Sequence, residues 1–202
     1  MCMLVSESSP IFMSSFQESP NIVVLRGAEI EPYLEEIVDL MLIVYKESPF
    51  FYEGTREEYL PLVKFYSDSK DGIACLMFDG KKIIGVAAGA PLSQVSEKWQ
   101  TPFKQDEIEK IFYLGDEVLL EKHRGQHLGS KLFDAFVRAV PASFSKIAFA
   151  KIEESIEPPL NAAIRNRGFV ERLDKSVIIP WNEFGRKEEV PHKLVFWTKD
   201  LP

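Results

Sequence analysis

A basic turn containing two glycines joins an apolar run to an apolar helical pattern in EVLLEKHRGQHLGSKLF, residues 117–133. Gly125 and Gly129 allow the backbone to approach a bound group closely. The first N–H groups of a helix have no intrahelical partner, and they carry partial positive charge. Three side chains make the neighbourhood cationic in an otherwise acidic chain: Lys122, Arg124 and Lys131. The segment predicts an anion site at a helix start, and phosphate is the anion that fits best.

Other interpretations of this turn are open or excluded on spacing. The same sequence is compatible with a plain strand-to-helix turn whose basic residues are simply solvated. A Walker loop needs four residues between its glycines, then Gly-Lys-Ser/Thr, whereas Gly125 and Gly129 enclose three and Gly-Ser-Lys follows. The dinucleotide motif G-x-G-x-x-G also fails, and it belongs to the first strand of a domain. The sequence therefore predicts neither of these two nucleotide folds.

An acidic pair, Asp116 and Glu117, lies just before the turn in the apolar run IFYLGDEVLL. A carboxylate near a substrate can accept a proton in general base catalysis. In a regular strand the two side chains point to opposite faces, so only one of them would face a cleft. Gly115 before them predicts a bulge or a close backbone approach. The alternative is that both carboxylates only keep the strand exposed to water and have no catalytic role.

An aromatic segment, SPFFYEG, supplies a third group of candidates in Phe51, Tyr52 and Glu53. Aromatic faces beside a carboxylate suit a cationic amine. Consecutive aromatic residues are also typical of a hydrophobic core. The segment therefore indicates either an amine pocket or core packing.

The elements that must position these residues are predicted from periodicity and turn signals. The first half of the chain predicts a strand at Ile22–Arg26 and a helix over Glu29–Tyr45. A second helix starts either at the Thr55–Glu58 capping box or nearer Leu60, because Pro61 is unfavourable inside a helix. A hairpin follows, with GIACLMF and KIIGVAAG joined at Asp79-Gly80.

The second half begins with an unpatterned polar stretch, residues 93–109, which predicts a loop over a cleft. The strand IFYLGDEVLL then leads through the turn into a helix with Leu128, Leu132, Phe136 and Val140 on one face. The strand KIAFAKI, a short helix near residues 159–167 and two final strands complete the order. This order predicts an α/β domain with a mixed sheet.

Composition limits the classes of function. The 202 residues carry a formal net charge of −7, which disfavours a broad surface for nucleic acid or an anionic membrane. Two cysteines, Cys2 and Cys75, build neither a disulfide framework nor a zinc site, so no metal is expected. No run reaches the roughly 20 apolar residues of a membrane span, and the start lacks a basic signal-peptide region. We expect a cytoplasmic protein with a flexible tail at residues 1–20.

Residues 124–129, Arg-Gly-Gln-His-Leu-Gly, resemble the coenzyme loop of the GNAT superfamily of N-acetyltransferases. That loop, Q/R-x-x-G-x-G/A, follows the fourth strand and opens a long helix, and His127 replaces its middle glycine here. NAAIRNRGFVERL is similar to the next landmark, a helix containing Asn161 followed by Gly168 and Phe169. Four blocks in order resemble an uncharacterised bacterial branch of the superfamily: ESPFFYEGTREEYL, FYLGDEVLLEKHRGQHLG, PWNEF and KLVFWTKDL.

The resemblance implies one GNAT domain over residues 21–202. Its fold would be a mixed central sheet of six to seven strands, flanked by about four helices, with a splay between the fourth and fifth strands. The implied activity is acetyl transfer from acetyl-CoA, with coenzyme A as product, to a primary amine of a small molecule or peptide that attacks the thioester directly. GNAT proteins often form dimers, so a homodimer is one expectation.

The resemblance also implies coenzyme contacts, residue by residue. Backbone groups of Val118, Leu119 and Leu120 would hold the pantetheine arm in the splay, and Asn161 would be a further contact. The N–H groups of one continuous segment would hold the pyrophosphate: Arg124, Gly125, Gln126, His127, Leu128, Gly129 and Ser130.

For catalysis, the resemblance implies a base on the fourth strand, with Asp116 favoured and Glu117 second. GNAT enzymes commonly line the amine site with the region of Phe51, Tyr52 and Glu53. The tyrosine that often acts as acid, four residues before Gly-Phe, is Ile164 here. That difference and His127 leave a second function open, a non-catalytic acyl-CoA-binding sensor or scaffold.

Overall fold

The computed structural model describes residues 20–47, 50–153 and 158–202. The predicted N-terminal tail, apart from Pro20, lies outside the described residues. Seven strands are found in these ranges: β1 Asn21–Arg26, β2 Ile73–Asp79, β3 Lys82–Pro91, β4 Ile111–Leu119, β5 Lys146–Ile152, β6 Val170–Trp181 and β7 Val190–Asp200. The α-helices are α1 Leu34–Val44, α2 Arg56–Asp68, α3 Glu97–Gln100, α4 Gln105–Ile108, α5 Leu128–Ala139 and α6 Pro158–Asn166.

The strands form one sheet in the order β1-β2-β3-β4-β5-β7-β6. Neighbouring strands run antiparallel except for β4 and β5, which are parallel. The predicted mixed α/β sheet is therefore confirmed, with seven strands. Four of the helices have nine residues or more, as expected, and α3 and α4 are single turns.

A splay opens between β4 and β5, as predicted. The two strands pair only from Ile111 with Lys146 to Tyr113 with Ala148, although β4 continues to Leu119 and β5 to Ile152. Beyond Tyr113, no described residue of β5 pairs with β4. The sheet therefore has a gap beside the second half of β4.

The bulge predicted at Gly115 is also present. Ala88 of β3 pairs with Asp116, and the next residue, Gly89, pairs with Leu114, which leaves Gly115 as the extra residue in β4. A bulge shifts which residues face each side of a sheet. Here Tyr113, Leu114 and Asp116 pair with the consecutive residues Ala90, Gly89 and Ala88, so the side chain of Asp116 lies on the same face as that of Tyr113.

The capping box and the hairpin predicted before β4 are both present, but the hairpin turn is shifted. The capping box forms, because the Glu58 amide donates to Thr55 Oγ1 and the Thr55 amide donates to Glu58 Oε2. The alternative start near Leu60 is therefore wrong, and Pro61 lies inside α2. The hairpin is confirmed, but Asp79 pairs with Lys82, so the turn residues are Gly80 and Lys81, with Gly80 at a φ of 59°.

The expected loop at residues 93–109 is wrong in part, since it contains α3 and α4. Leu92, Phe103 and Ile108 are buried against the half of the sheet formed by β4 to β7. The remaining core lies between the sheet and the longer helices. Leu132 and Phe136 of α5 lie over the β3 glycines on one face, whereas α1 and α2 cover the other face.

Candidate functional site

The backbone reverses sharply between β4 and α5. A turn of 3-10 helix at Glu121–His123 follows β4, and Gly125 and His127 then adopt φ values of 75° and 58°. Glycine takes this left-handed conformation freely. For His127 it costs roughly 1–2 kcal/mol, although histidine is among the residue types enriched there. The histidine therefore takes the backbone conformation that a glycine would take without strain.

Six consecutive amides at this reversal have no acceptor among the described residues. They belong to Gly125, Gln126, His127, Leu128, Gly129 and Ser130. On either side the pairing resumes, since the Arg124 amide donates to the Glu121 carbonyl oxygen at 2.9 Å and the Lys131 amide to that of His127 at 3.1 Å. The amides from Gly125 to Ser130 therefore have no acceptor among the described residues, and their contact with a pyrophosphate stays a prediction. The Arg124 amide differs, because it closes the preceding 3-10 turn.

The guanidinium of Arg124 points back to the protein. It donates to Glu47 Oε2 at 2.7 Å and to the Leu119 carbonyl oxygen at 3.1 Å. Arg124 thereby ties the turn to the segment after α1 and to the end of β4. Lys122 and Lys131 are exposed and supply positive charge at the surface of the turn.

The end of β4 borders the splay. Val118 pairs with Val86 and Leu119 with Gly85 on the β3 side, and the Leu120 amide donates to the Ile84 carbonyl oxygen at 2.9 Å. Alternate backbone groups of a strand point to its two sides, so part of this stretch faces the gap. The structure thus offers backbone groups along an apolar edge, and their contact with a ligand stays a prediction.

Asn161 of α6 has an orphan polar atom. Its Oδ1 is buried and has no hydrogen-bond partner among the described residues. A buried acceptor without a donor costs about 1–3 kcal/mol, so this oxygen is available to a bound N–H or O–H. Ile164, one turn further along α6, is buried in the core and has no proton to donate.

The acidic pair of β4 divides between the two faces of the sheet, as predicted. Asp116 accepts hydrogen bonds from Tyr45 Oη and Tyr66 Oη, each at 2.6 Å, on the α1–α2 face. Glu117 lies on the α5 face, where its Oε1 would be 3.9 Å from a Cβ placed on Gly129. The two carboxylates therefore have different neighbours.

The electrostatics of the two groups differ as well. Burial raises the pKa of Asp116, and the hydrogen bonds from the two tyrosines oppose that shift. Burial raises the pKa of Glu117 to about 7; Arg167 opposes the rise and Asp134 adds to it. Glu117 consequently exchanges its proton near neutral pH.

Tyr66 reaches Asp116 only because Gly115 has no side chain. A Cβ at Gly115 would overlap the Tyr66 hydroxyl. Neither Tyr45, Tyr59 nor Tyr66 was predicted to belong to the site. The spacing of seven residues between Tyr59 and Tyr66 indicated a shared helix face, but nothing in the sequence indicated that this face meets Asp116.

The aromatic segment is attached to the connection between β6 and β7. Tyr52 packs on Trp181 with ring centroids 4.8 Å apart, and the Glu53 amide donates to the Asn182 carbonyl oxygen at 2.8 Å. Phe51 is half-exposed and Glu53 lies 3.8 Å from Lys46 at the surface. Of the three predicted residues, the structure connects Tyr52 through other rings to Asp116, but not Phe51 or Glu53.

The described residues contain no group of three or more His, Cys, Asp and Glu side chains that could hold a metal ion. None of their helices has the length and apolar character needed to cross a membrane.

Comparison with known proteins supports the architecture. No protein-family model and no curated protein sequence matches the chain. Among solved structures, a GNAT-family acetyltransferase from Staphylococcus aureus Mu50 is 16% identical with a TM-score of 0.59, over 90% of this chain and 100% of that one. An acetyltransferase from Streptococcus agalactiae is 20% identical with a TM-score of 0.58, over 89% and 98%.

A ribosomal-protein-alanine N-acetyltransferase from Brucella melitensis is similar to the same degree. It is 14% identical with a TM-score of 0.58, over 89% of this chain and 99% of that one. These structures match along nearly their whole length. The chain therefore has the fold of the GNAT acetyltransferases.

Proposed function

We propose that this protein transfers an acetyl group from acetyl-CoA to a primary amine. The observation that carries the proposal is the run of six free amides, Gly125–Ser130, beside the gap between β4 and β5. Free N–H groups at a helix start bind phosphate, and a sheet gap with an apolar edge suits a long amphipathic tether. The orphan oxygen of Asn161 is a further acceptor for such a ligand.

In this proposal the coenzyme supplies an activated acetyl thioester, and the protein holds and orients it. The amides of Gly125–Ser130 would bind the pyrophosphate, and Lys122 and Lys131 would add long-range attraction. Backbone groups of Val118–Leu120 would align the pantetheine arm along β4. Holding both reactants in place lowers the entropy cost of the reaction.

Asp116 is the residue that we assign as base. A primary amine must be neutral to attack, so a group near it must accept a proton. Asp116 faces the α1–α2 side, where the loop containing Tyr52 lies, and it is partly open to solvent. Glu117 lies beside the first turn of α5 instead.

One variant directly tests the amide cradle, which is the run of free N–H groups at Gly125–Ser130. Ser130→Pro removes an N–H that has no protein acceptor, and proline is tolerated in the first turn of a helix. We expect coenzyme A to bind at least tenfold more weakly by calorimetry, with little change in thermal stability. Ser130→Ala, which keeps the N–H, is the control. Equal affinities for the two variants would remove the cradle from the site.

The second function, a non-catalytic acyl-CoA-binding module, is favoured by one observation. Ile164 is buried and cannot act as an acid, and no hydroxyl replaces it on α6 among its described residues. Incubation with acetyl-CoA and a panel of amines, with thiol release as readout, separates the two functions. Thiol release supports the transferase. Thermal stabilisation by coenzyme A without any thiol release supports the binding module.

A further inference from the structure

A carboxylate without a cation lies at the centre of a tyrosine cluster on the α1–α2 face. Asp116 accepts one hydrogen bond on each oxygen, from Tyr45 and from Tyr66. None of the lysine, arginine and histidine side chains in the described ranges pairs with it. A carboxylate has about four acceptor positions, and removing its charge from water is costly without a positive partner. Asp116 therefore has free acceptor positions for a cation, and a cation would offset the cost of its buried charge.

Tyr59 supplies a second unsatisfied group beside it. The residue is only 4% exposed, and its hydroxyl has no hydrogen-bond partner among the described residues. Its ring stacks on that of Tyr45, with centroids 5.5 Å apart and planes at 17°. Burial raises the pKa of Tyr59 most, and the nearby Tyr52 and Asp116 raise it further. The ring of Tyr59 therefore packs on the tyrosine whose hydroxyl donates to Asp116.

A series of aromatic rings leads from the protein surface to these two groups. Trp181 and Tyr52 have centroids 4.8 Å apart, Tyr52 and Tyr59 are 6.1 Å apart, and Tyr59 stacks on Tyr45. Asp116, Tyr45 and Tyr52 each keep part of their surface open to solvent. The series of rings therefore runs from Trp181 to the residue Asp116, which is not sealed from solvent as a whole.

We propose that Asp116 and Tyr59 bind the ammonium group of the acceptor, and that this acceptor is a small primary amine with an aromatic or alkyl body. An ammonium has three donors, enough for a free position on Asp116 and for the Tyr59 oxygen. Aromatic faces attract the cation and bury the apolar body. The proposal rests on the proposed function for identifying the bound amine as the acetyl acceptor.

Other classes of amine fit this wall less well. An amino sugar would bury hydroxyl groups against rings that offer few hydrogen-bond partners, which is costly. A polyamine would need a second carboxylate, and Glu58 and Glu189 near Tyr52 are the available ones. Glu58 already accepts the hydrogen bond that caps α2. These classes are outcomes of the test below.

The test measures amine binding to the full chain by calorimetry, with and without saturating coenzyme A. The probes are phenethylamine and butylamine, compared with glucosamine, spermidine and a tripeptide with a free N-terminus. We expect phenethylamine to bind at least tenfold more tightly than glucosamine, spermidine or the tripeptide. Tighter binding of any of those three would overturn the assigned class.

The matched variants are Tyr59→Phe and, as control, Tyr33→Phe, whose tyrosine packs on Phe78. We expect Tyr59→Phe to weaken phenethylamine at least tenfold, while Tyr33→Phe and the affinity for coenzyme A stay unchanged. Full affinity in Tyr59→Phe would overturn the site. The proposed function can fail separately from this site. Amine binding that depends on Tyr59, without thiol release from acetyl-CoA, would contradict the transferase but not the site. Thiol release with an amine affinity that does not depend on Tyr59 would contradict the site but not the transferase.

Discussion

The two faces of β4 provide a comparison within one strand. On the α1–α2 face, Asp116 is held by two tyrosine hydroxyls and bordered by stacked rings. On the α5 face, the carboxylate of Glu117 accepts no hydrogen bond from the described residues, and it lies beside a helix start with free amides. We propose that one face binds a cation and the other an anion. Adjacent residues can serve different partners because a strand alternates its side chains, and the bulge at Gly115 sets which residue takes which face.

The largest difference between the faces should be kinetic. Asp116→Asn removes the proposed base, so we expect kcat to fall by about 10²–10⁴-fold while the Kd for coenzyme A stays within about twofold. Glu117→Gln should lower kcat far less. Steady-state rates and calorimetry measure both quantities, and an equal fall in kcat for the two variants would contradict the assignment of roles.

The glycines of the two faces should respond oppositely to alanine. At Gly115 a Cβ overlaps the Tyr66 hydroxyl, so Gly115→Ala should lower the free energy of unfolding by about 1–3 kcal/mol. At Gly129 the nearest atoms to a Cβ lie at 3.9 Å, so Gly129→Ala should raise it by about 0.5–1 kcal/mol. Urea denaturation measures both. In a Tyr66→Phe background the cost at Gly115 should shrink, and an unchanged cost would show that the hydroxyl is not the obstacle.

The ion pair between Arg124 and Glu47 should affect coenzyme A binding at the turn before α5. Arg124→Glu breaks the pair, places two carboxylates together and releases the turn, so we expect coenzyme A to bind more than tenfold more weakly, a loss of about 1.4 kcal/mol. The charge swap Arg124→Glu with Glu47→Arg should recover part of that loss. Calorimetry decides, and a full loss in the swapped protein would mean that Arg124 acts through something other than Glu47.

The smallest effect should be a pH dependence confined to Glu117. Burial raises the pKa of this carboxyl to about 7, and a diphosphate at the turn would raise it further, so coenzyme binding takes up a proton. The affinity should be full below pH 7, fall as the pH rises above 7, and level off above the pKa in the complex. We expect a change of up to about tenfold by calorimetry, absent in Glu117→Gln. Titration of the coenzyme phosphates is common to both proteins, and parallel profiles would exclude Glu117.

Much of this fold could be predicted from local patterns. The β2–β3 hairpin, the Thr55–Glu58 capping box and the amphipathic α5 depend on neighbouring residues, and all three are confirmed, although the hairpin turn is one residue later than predicted. The expected loop at residues 93–109 was partly wrong because α3 and α4 are single turns, too short to show a hydrophobic period.

The candidate site also has a part that local sequence determines and a part that depends on residues far apart in the chain. The amides of Gly125–Ser130 follow each other in the chain, so the sequence by itself determined that a helix start with free N–H groups follows β4. Tyr45 and Tyr66 lie 71 and 50 residues from Asp116, and no local period encodes such a meeting. Only the tertiary structure decided which acid faces the tyrosines, because that depends on one bulged residue and on helices packed from elsewhere in the chain.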